Sequence, residues 1–307
     1  MIYNFYTEDI LYFGNTPQYG GNTFYTIVYA FLFVIHTILA IVTREIVFGS
    51  AFVIGCILEM CGFCGRVDAH FHDTNLADYM VSLVGTILGP VFFLAGIYDI
   101  FGHIMKLYNS EFCPIKNVSD YRLTFAIMDF ISFIILLAGC GVAGDGGENR
   151  SVVGAHCIIA GLVIQLVILI IFTGFVGAFF FNMYNHSSKT SLKLDDRFSK
   201  IRDTPYTGSV VFSILISIFL YYIRTIYRIV QMSGSFNSKL HRNETLILVL
   251  DAAMVAISVI LLTIFYPGLQ TKKMRDVKKP QETKPEDGEA EFKLDDEPAS
   301  KTSITAV

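Results

Sequence analysis

The chain has 307 residues, 53% of them hydrophobic and only 16% charged, with a net charge of −4 at pH 7 and a mean hydropathy of +0.54. Charges this sparse exclude an ordinary soluble domain and point to a membrane protein. No Lys-rich surface or nucleic-acid motif is present, so no nucleic-acid partner is expected. With 27 Phe, 16 Tyr and no Trp, any aromatic belt at the membrane boundary falls to Tyr.

The opening "MIYNFYTEDI" lacks a basic stretch followed by a short apolar run, so no cleavable signal peptide is expected. Seven apolar segments then follow, each near the roughly 20 residues that a bilayer requires. They run Thr23–Val42, Ile46–Gly65, Leu76–Phe101, Leu123–Val142, Val152–Phe181, Gly208–Ile229 and Leu246–Tyr266. The first two are separated only by "TRE" and predict a helical hairpin. From about Thr271 the sequence turns charged and Pro-bearing, a composition that cannot bury enough surface to order itself.

The fold class expected is therefore all-α: a polytopic membrane protein of seven transmembrane helices. Residues 1–22 form an extracellular N-terminus, 23–268 the helical domain and 269–307 a disordered cytosolic tail. Orientation rests on basic residues: none in 1–22, but Lys189, Lys193, Arg197, Lys200 and Arg202 in the fifth loop and Lys272, Lys273 and Arg275 beyond the last helix. The tail is where a cytosolic partner would dock, and its basic start suits anionic lipid.

Polar residues inside apolar segments are the strongest pointers to function, because a charge at mid-bilayer costs about 2.5–3.5 kcal/mol on insertion scales. The second segment carries Glu59 and Arg66; the third has Tyr98, Asp99 and His103 below a kink expected at Pro90. The fourth carries Asp129 and Ser132, the fifth His156 and Gln165. The sixth ends in "YYIRTIYRIVQM", with Arg224, Tyr227 and Arg228, and the seventh holds Glu244 and Asp251. Arg66, Arg224, Arg228 and Glu244 are expected to gather at the outer side, capping a polar pocket whose deepest acids are Glu59, Asp129 and Asp251. Two other roles stay open: ion pairs that only fix helix packing, and arginines that snorkel to lipid phosphates.

The remaining motifs are weaker. Cys61 and Cys64 form a CxxC inside a helix with no second pair, and buried free thiols are the expectation. "DAHFHD" reads as a solvated loop rather than a metal site. Sequons occur at Asn117, Asn149, Asn185 and Asn243, of which Asn149 and Asn243 fall on outer loops.

These residues resemble a fungal family, the RTA-like proteins, named for aminocholesterol resistance and also called lipid-translocating exporters. The second helix reads Glu59-x-x-Gly62-Phe63-x-x-Arg66, where the family has Tyr for Phe. "LGPVFFLAGIY", "FAIMDFIS" and "GAHCIIAGLVIQ" follow the family's third to fifth helices. The most specific match is "RTIYRIVQ", then "NETLILVLDAAM" and "YPG". Departures are Gln231 for Glu, Leu136 for Gln and Tyr266 for His.

The resemblance implies a seven-helix protein of fungal membranes, usually the plasma membrane, linked to tolerance of toxic amphiphiles. Its implied cargo is a sphingoid base, a sterol-like compound, or a porphyrin or haem; no resident cofactor is expected. The leading reading is thus a non-enzymatic transporter or flippase without a Walker A motif, in contact with membrane lipids. A lipid-binding sensor acting through its cytosolic loops and tail is the alternative. A zinc hydrolase would need converging histidines, and His36, His70, His72, His103 and His156 are scattered over different segments.

Overall fold

A computed structural model describes residues 16–72, 76–115, 117–144, 148–186, 198–233 and 243–282. Its long helices are α1 (Tyr19–Thr43), α2 (Ile46–Asp68), α3 (Leu76–Tyr108), α4 (Val118–Ala143), α5 (Glu148–His186), α6 (Pro205–Ser233), α7 (residues 244–264) and α8 (Gly268–Glu282). Seven spans are long and apolar enough to cross a membrane, and no strand occurs among the described residues. The helix α7 is composite: α-helical over Glu244–Ile247, a π turn over Leu248–Ala252, then α-helical over Ala253–Ile264.

The helices overrun the expected segments because polar residues can continue a helix into the headgroup zone. At α4 the Asn117 side chain accepts from the Ser119 backbone N–H at 3.1 Å, and this cap starts the helix well before Leu123. The sharp α1–α2 hairpin expected from "TRE" is present, with Arg44 in the left-handed conformation (φ 55°) at the corner.

One boundary needs correction. The disordered tail was expected from residue 269, yet the chain is helical over Gly268–Glu282; residues 283–307, like residues 1–15, lie outside the described residues. Tertiary anchors override the polar composition. Gln270, Thr271 and Met274 are buried, and Gln270 Nε2 donates to Thr207 Oγ1 at 2.7 Å. Arg275 donates to the backbone carbonyls of Thr43 and Arg44, satisfying the open C-terminal end of α1.

Neighbouring spans approach closely at glycines. A Cβ placed on Gly85 would lie 2.4 Å from the Leu58 carbonyl oxygen, and one on Gly154 would lie 2.4 Å from the Ala143 nitrogen. The pairs α2–α3 and α4–α5 therefore pack backbone to backbone, as suits helices that gain no hydrophobic drive in lipid. Inside, α3, α4 and α5 share an aromatic cluster in which the Tyr98 and Phe172 rings are 4.5 Å apart and those of Phe125 and Phe172 5.7 Å apart. Outside, Phe24, Phe31, Phe130, Phe212 and Phe219 are exposed, giving the bundle an apolar girdle.

The bundle has two chemically different ends. At the α8 end lie Arg44, Lys106, Arg122, Arg202 and Arg275, while Arg66 and Arg150 lie at the other.

Candidate functional site

Pro90 sits inside the continuous helix α3. A proline lacks the N–H that would bond four residues back, so it releases the carbonyl of Thr86. In lipid that carbonyl has no water to turn to. Arg224 on α6 supplies the missing donor: its Nη2 reaches the Thr86 oxygen at 2.7 Å, while its Nε donates to Asp251 Oδ1 at 2.9 Å. Arg224 is 0% exposed.

Arg228, one turn further along α6, donates to the second Asp251 oxygen and, at 3.3 Å, to Gln231 Oε1. The amide at position 231 thus serves as an acceptor. One carboxylate facing two guanidinium groups leaves a positive charge. Glu59 is buried within electrostatic range of both arginines. Gly89 makes room for Glu59, since a Cβ there would fall 2.8 Å from Glu59 Cγ.

Asp251 lies in the π turn of α7. A π turn loosens the helical hydrogen-bond ladder and is often found at functional positions. The Leu248 carbonyl at its start accepts from the Ala253 N–H and from the Tyr25 hydroxyl at 2.9 Å.

Arg66 and Glu244 form a separate pair at 2.9 Å at the end opposite α8. Asn22 joins them, accepting from Arg66 Nε at 3.0 Å and donating to Glu244 Oε1 at 2.7 Å. Of the four residues expected to gather at the outer side, Arg224 and Arg228 pair with Asp251, while Arg66 pairs with Glu244. Tyr227, within electrostatic range of Arg66, Arg228 and Asp251, stands between the two clusters.

Tyr98, Asp129 and Gln165 belong to neither. They sit among α3, α4 and α5, and all three are buried, with Asp129 4% exposed. Neither Asp129 oxygen, neither Gln165 amide atom nor the Tyr98 hydroxyl has a hydrogen-bond partner.

Reading the sequence missed Asn22 and the Thr86 carbonyl. Asn22 carries no motif, but the carbonyl was findable in principle, since every mid-helix proline frees the one four residues earlier. His70 is structural: its Nδ1 meets the Pro17 carbonyl oxygen at 2.7 Å, and Asp73 of the same motif lies outside the described residues. Cys61 and Cys64 are free thiols but not buried ones as expected: Cys61 is half-buried and Cys64 exposed, because both line a groove of about 490 Å³ beside Thr23, Thr26 and Asp78. Among the described residues no three His, Cys, Asp or Glu side chains converge to hold a metal.

At the α8 end, His103 Nε2 lies 3.4 Å from Asp99 Oδ2 and 3.6 Å from Glu45 Oε2, with Arg122 and Arg275 closing the network. Glu45 lies between the spans, and burial pushes its carboxyl up from the ordinary range despite His103 and Arg275.

Comparison with known proteins gives the family. The profile described as "RTA1 like protein" matches residues 52–274. The sphingoid long-chain base transporter RSB1 of Saccharomyces cerevisiae is 26% identical over 287 residues, covering 85% of this chain and 75% of its own. Protein RTM1 of the same yeast is 26% identical over 69% of this chain and 65% of its own. Its protoporphyrin uptake protein 1 is 25% identical over 68% of this chain and 65% of its own. No solved structure matches. With the matched region spanning most of the chain and seven apolar helices around it, the chain belongs to the RTA1-like family of multi-pass membrane proteins.

Proposed function

We propose that this chain moves an amphiphilic, lipid-like molecule from one membrane leaflet to the other. The observation that carries this reading is a set of buried acids, bases and amides inside an otherwise apolar bundle, in a family with relatives named for sphingoid base transport and porphyrin uptake. Polar groups at membrane depth are costly, and a pathway for a polar head is a common reason to keep them. The apolar girdle and aromatic interior suit the fatty body of the same molecule. The pathway contains Glu59, Tyr98, Asp129, Gln165 and Tyr227, with Arg66 and Glu244 at its rim and the Arg224–Arg228–Asp251 cluster as its wall.

The basic α8 end faces the cytosol and the N-terminus lies outside, a reading supported by the distribution of Lys and Arg. The plasma membrane is the compartment proposed, where such movement confers tolerance of toxic amphiphiles.

The test uses purified protein in liposomes, with fluorescent sphingoid base or porphyrin loaded into one leaflet and no nucleotide added. Movement faster than in protein-free vesicles, and slowed by Glu59→Gln, is expected. Binding without movement would sink the transport reading and favour a sensor.

A further inference from the structure

The acids of this bundle differ in what they already hold. Asp251 is occupied by two arginines and Glu244 by Arg66 and Asn22. Asp129 holds nothing: both of its oxygens are buried without a partner.

Gln165 stands at the same level. Ser132 Oγ on α4 donates to the Gly161 carbonyl oxygen on α5 at 3.1 Å. Asp129 is one turn before Ser132, and Gln165 one turn after Gly161. The helices are antiparallel, so both steps lead away from the α4–α5 connection along the same faces. Tyr98 on α3 completes the group, with its hydroxyl in electrostatic range of Asp129 and its ring 5.2 Å from that of Phe125, one turn below Asp129. Buried Ile168, Leu169 and Phe172 continue the α5 side as an apolar wall.

The donor and acceptor inventory specifies a partner. With no counter-charge among its neighbours, the Asp129 carboxyl carries a charge only when a cation sits beside it, while a glutamine amide offers one acceptor and two donors and a phenol offers both. A protonated amine beside hydroxyl groups, attached to a long alkyl chain, satisfies all three. A carboxylate-bearing ligand such as a porphyrin brings Asp129 no such counter-charge.

Resting on the reading that this chain binds an amphiphile, we infer that Asp129, Gln165 and Tyr98 form a head-group subsite selective for an amine-headed, hydroxylated alkyl amphiphile. Asp129 holds the ammonium, while Gln165 and Tyr98 bond the neighbouring hydroxyls.

The test is equilibrium binding to the full-length protein in lipid nanodiscs, with sphinganine, its uncharged N-acetyl derivative and protoporphyrin as probes. The native protein is expected to prefer sphinganine over N-acetylsphinganine by roughly 10- to 100-fold, the worth of one charge-assisted bond. Asp129→Asn should erase that preference while N-acetylsphinganine binding stays. Equal binding of the amine and its N-acetyl derivative by the native protein would overturn the subsite, and that comparison needs no variant to fold. A preference for protoporphyrin would overturn it too, as would an Asp129→Asn protein that keeps the native selectivity. Translocation and selectivity are separable: a selective binder that moves nothing sinks only the transport reading, and an unselective mover sinks only this one.

Discussion

The Arg224–Arg228–Asp251 cluster and the Asp129–Gln165–Tyr98 group are both buried polar sets within one bundle, yet they are built in opposite ways. In the first, the carboxylate meets two guanidinium groups and a proline-freed carbonyl takes a further donor. In the second, an acid, an amide and a phenol sit together without partners. The first set is largely paired, with Arg224 Nη1 and Arg228 Nε left over, and holds helices in register; the second is kept for something that arrives. Counting charged residues in membrane helices would treat the two alike, and only the partner list separates them.

Substitution of the acids should break the comparison most sharply. Asp251→Asn leaves two buried arginines without their counter-charge, and losing one partner of a buried pair costs about 3–5 kcal/mol. Thermal unfolding in detergent should show a large loss or no folded protein. Asp129→Asn replaces a buried acid that has no partner to lose and should leave the melting temperature at or above the native value. A melting temperature that falls equally in both variants would place Asp129 in the framework.

A smaller effect is expected at Pro90. Pro90→Ala restores the N–H that reclaims the Thr86 carbonyl and displaces one Arg224 donor, a change of about 1 kcal/mol. Combined with Asp251→Asn, it should be non-additive by a measurable fraction of that amount, because both act on Arg224. Smaller still is the rim: Glu244→Gln should cost about 1 kcal/mol or less and lose its effect in high salt, as expected for a pair near water.

The smallest effect lies at the α8 end. Burial raises the Glu45 carboxyl, so the folded protein holds that proton more tightly than the unfolded chain. Stability therefore falls as pH rises through the range just above the ordinary carboxylate value, and is regained below it. Glu45→Gln should flatten the melting temperature against pH in that window.

Hydropathy made the seven spans legible, because a bilayer imposes one length on every crossing helix. It also exposed the buried acids and bases, since each interrupts an apolar run. What hydropathy could not supply was the pairing. Glu59 and Arg66 share a helix face in the sequence, yet Arg66 bonds Glu244 on α7 while Glu59 joins the arginines of α6. Partners on different helices are chosen by tertiary packing, which carries no local signal. α8 was hidden for a similar reason: its charged composition reads as tail, and what orders it is Gln270 reaching Thr207 and Arg275 reaching the end of α1.

The link between Pro90 and Arg224 also dictates an order of assembly. The third helix leaves the ribosome long before the sixth, carrying a Thr86 carbonyl that its own backbone cannot satisfy. Until α6 arrives, that oxygen must be sheltered by water at the insertion machinery or by another polar group, because bare lipid offers it nothing. Released alone into the membrane, α3 would therefore be short of one partner that the finished bundle gives it. That helix remains an unfinished part until the arginine made much later in synthesis closes it.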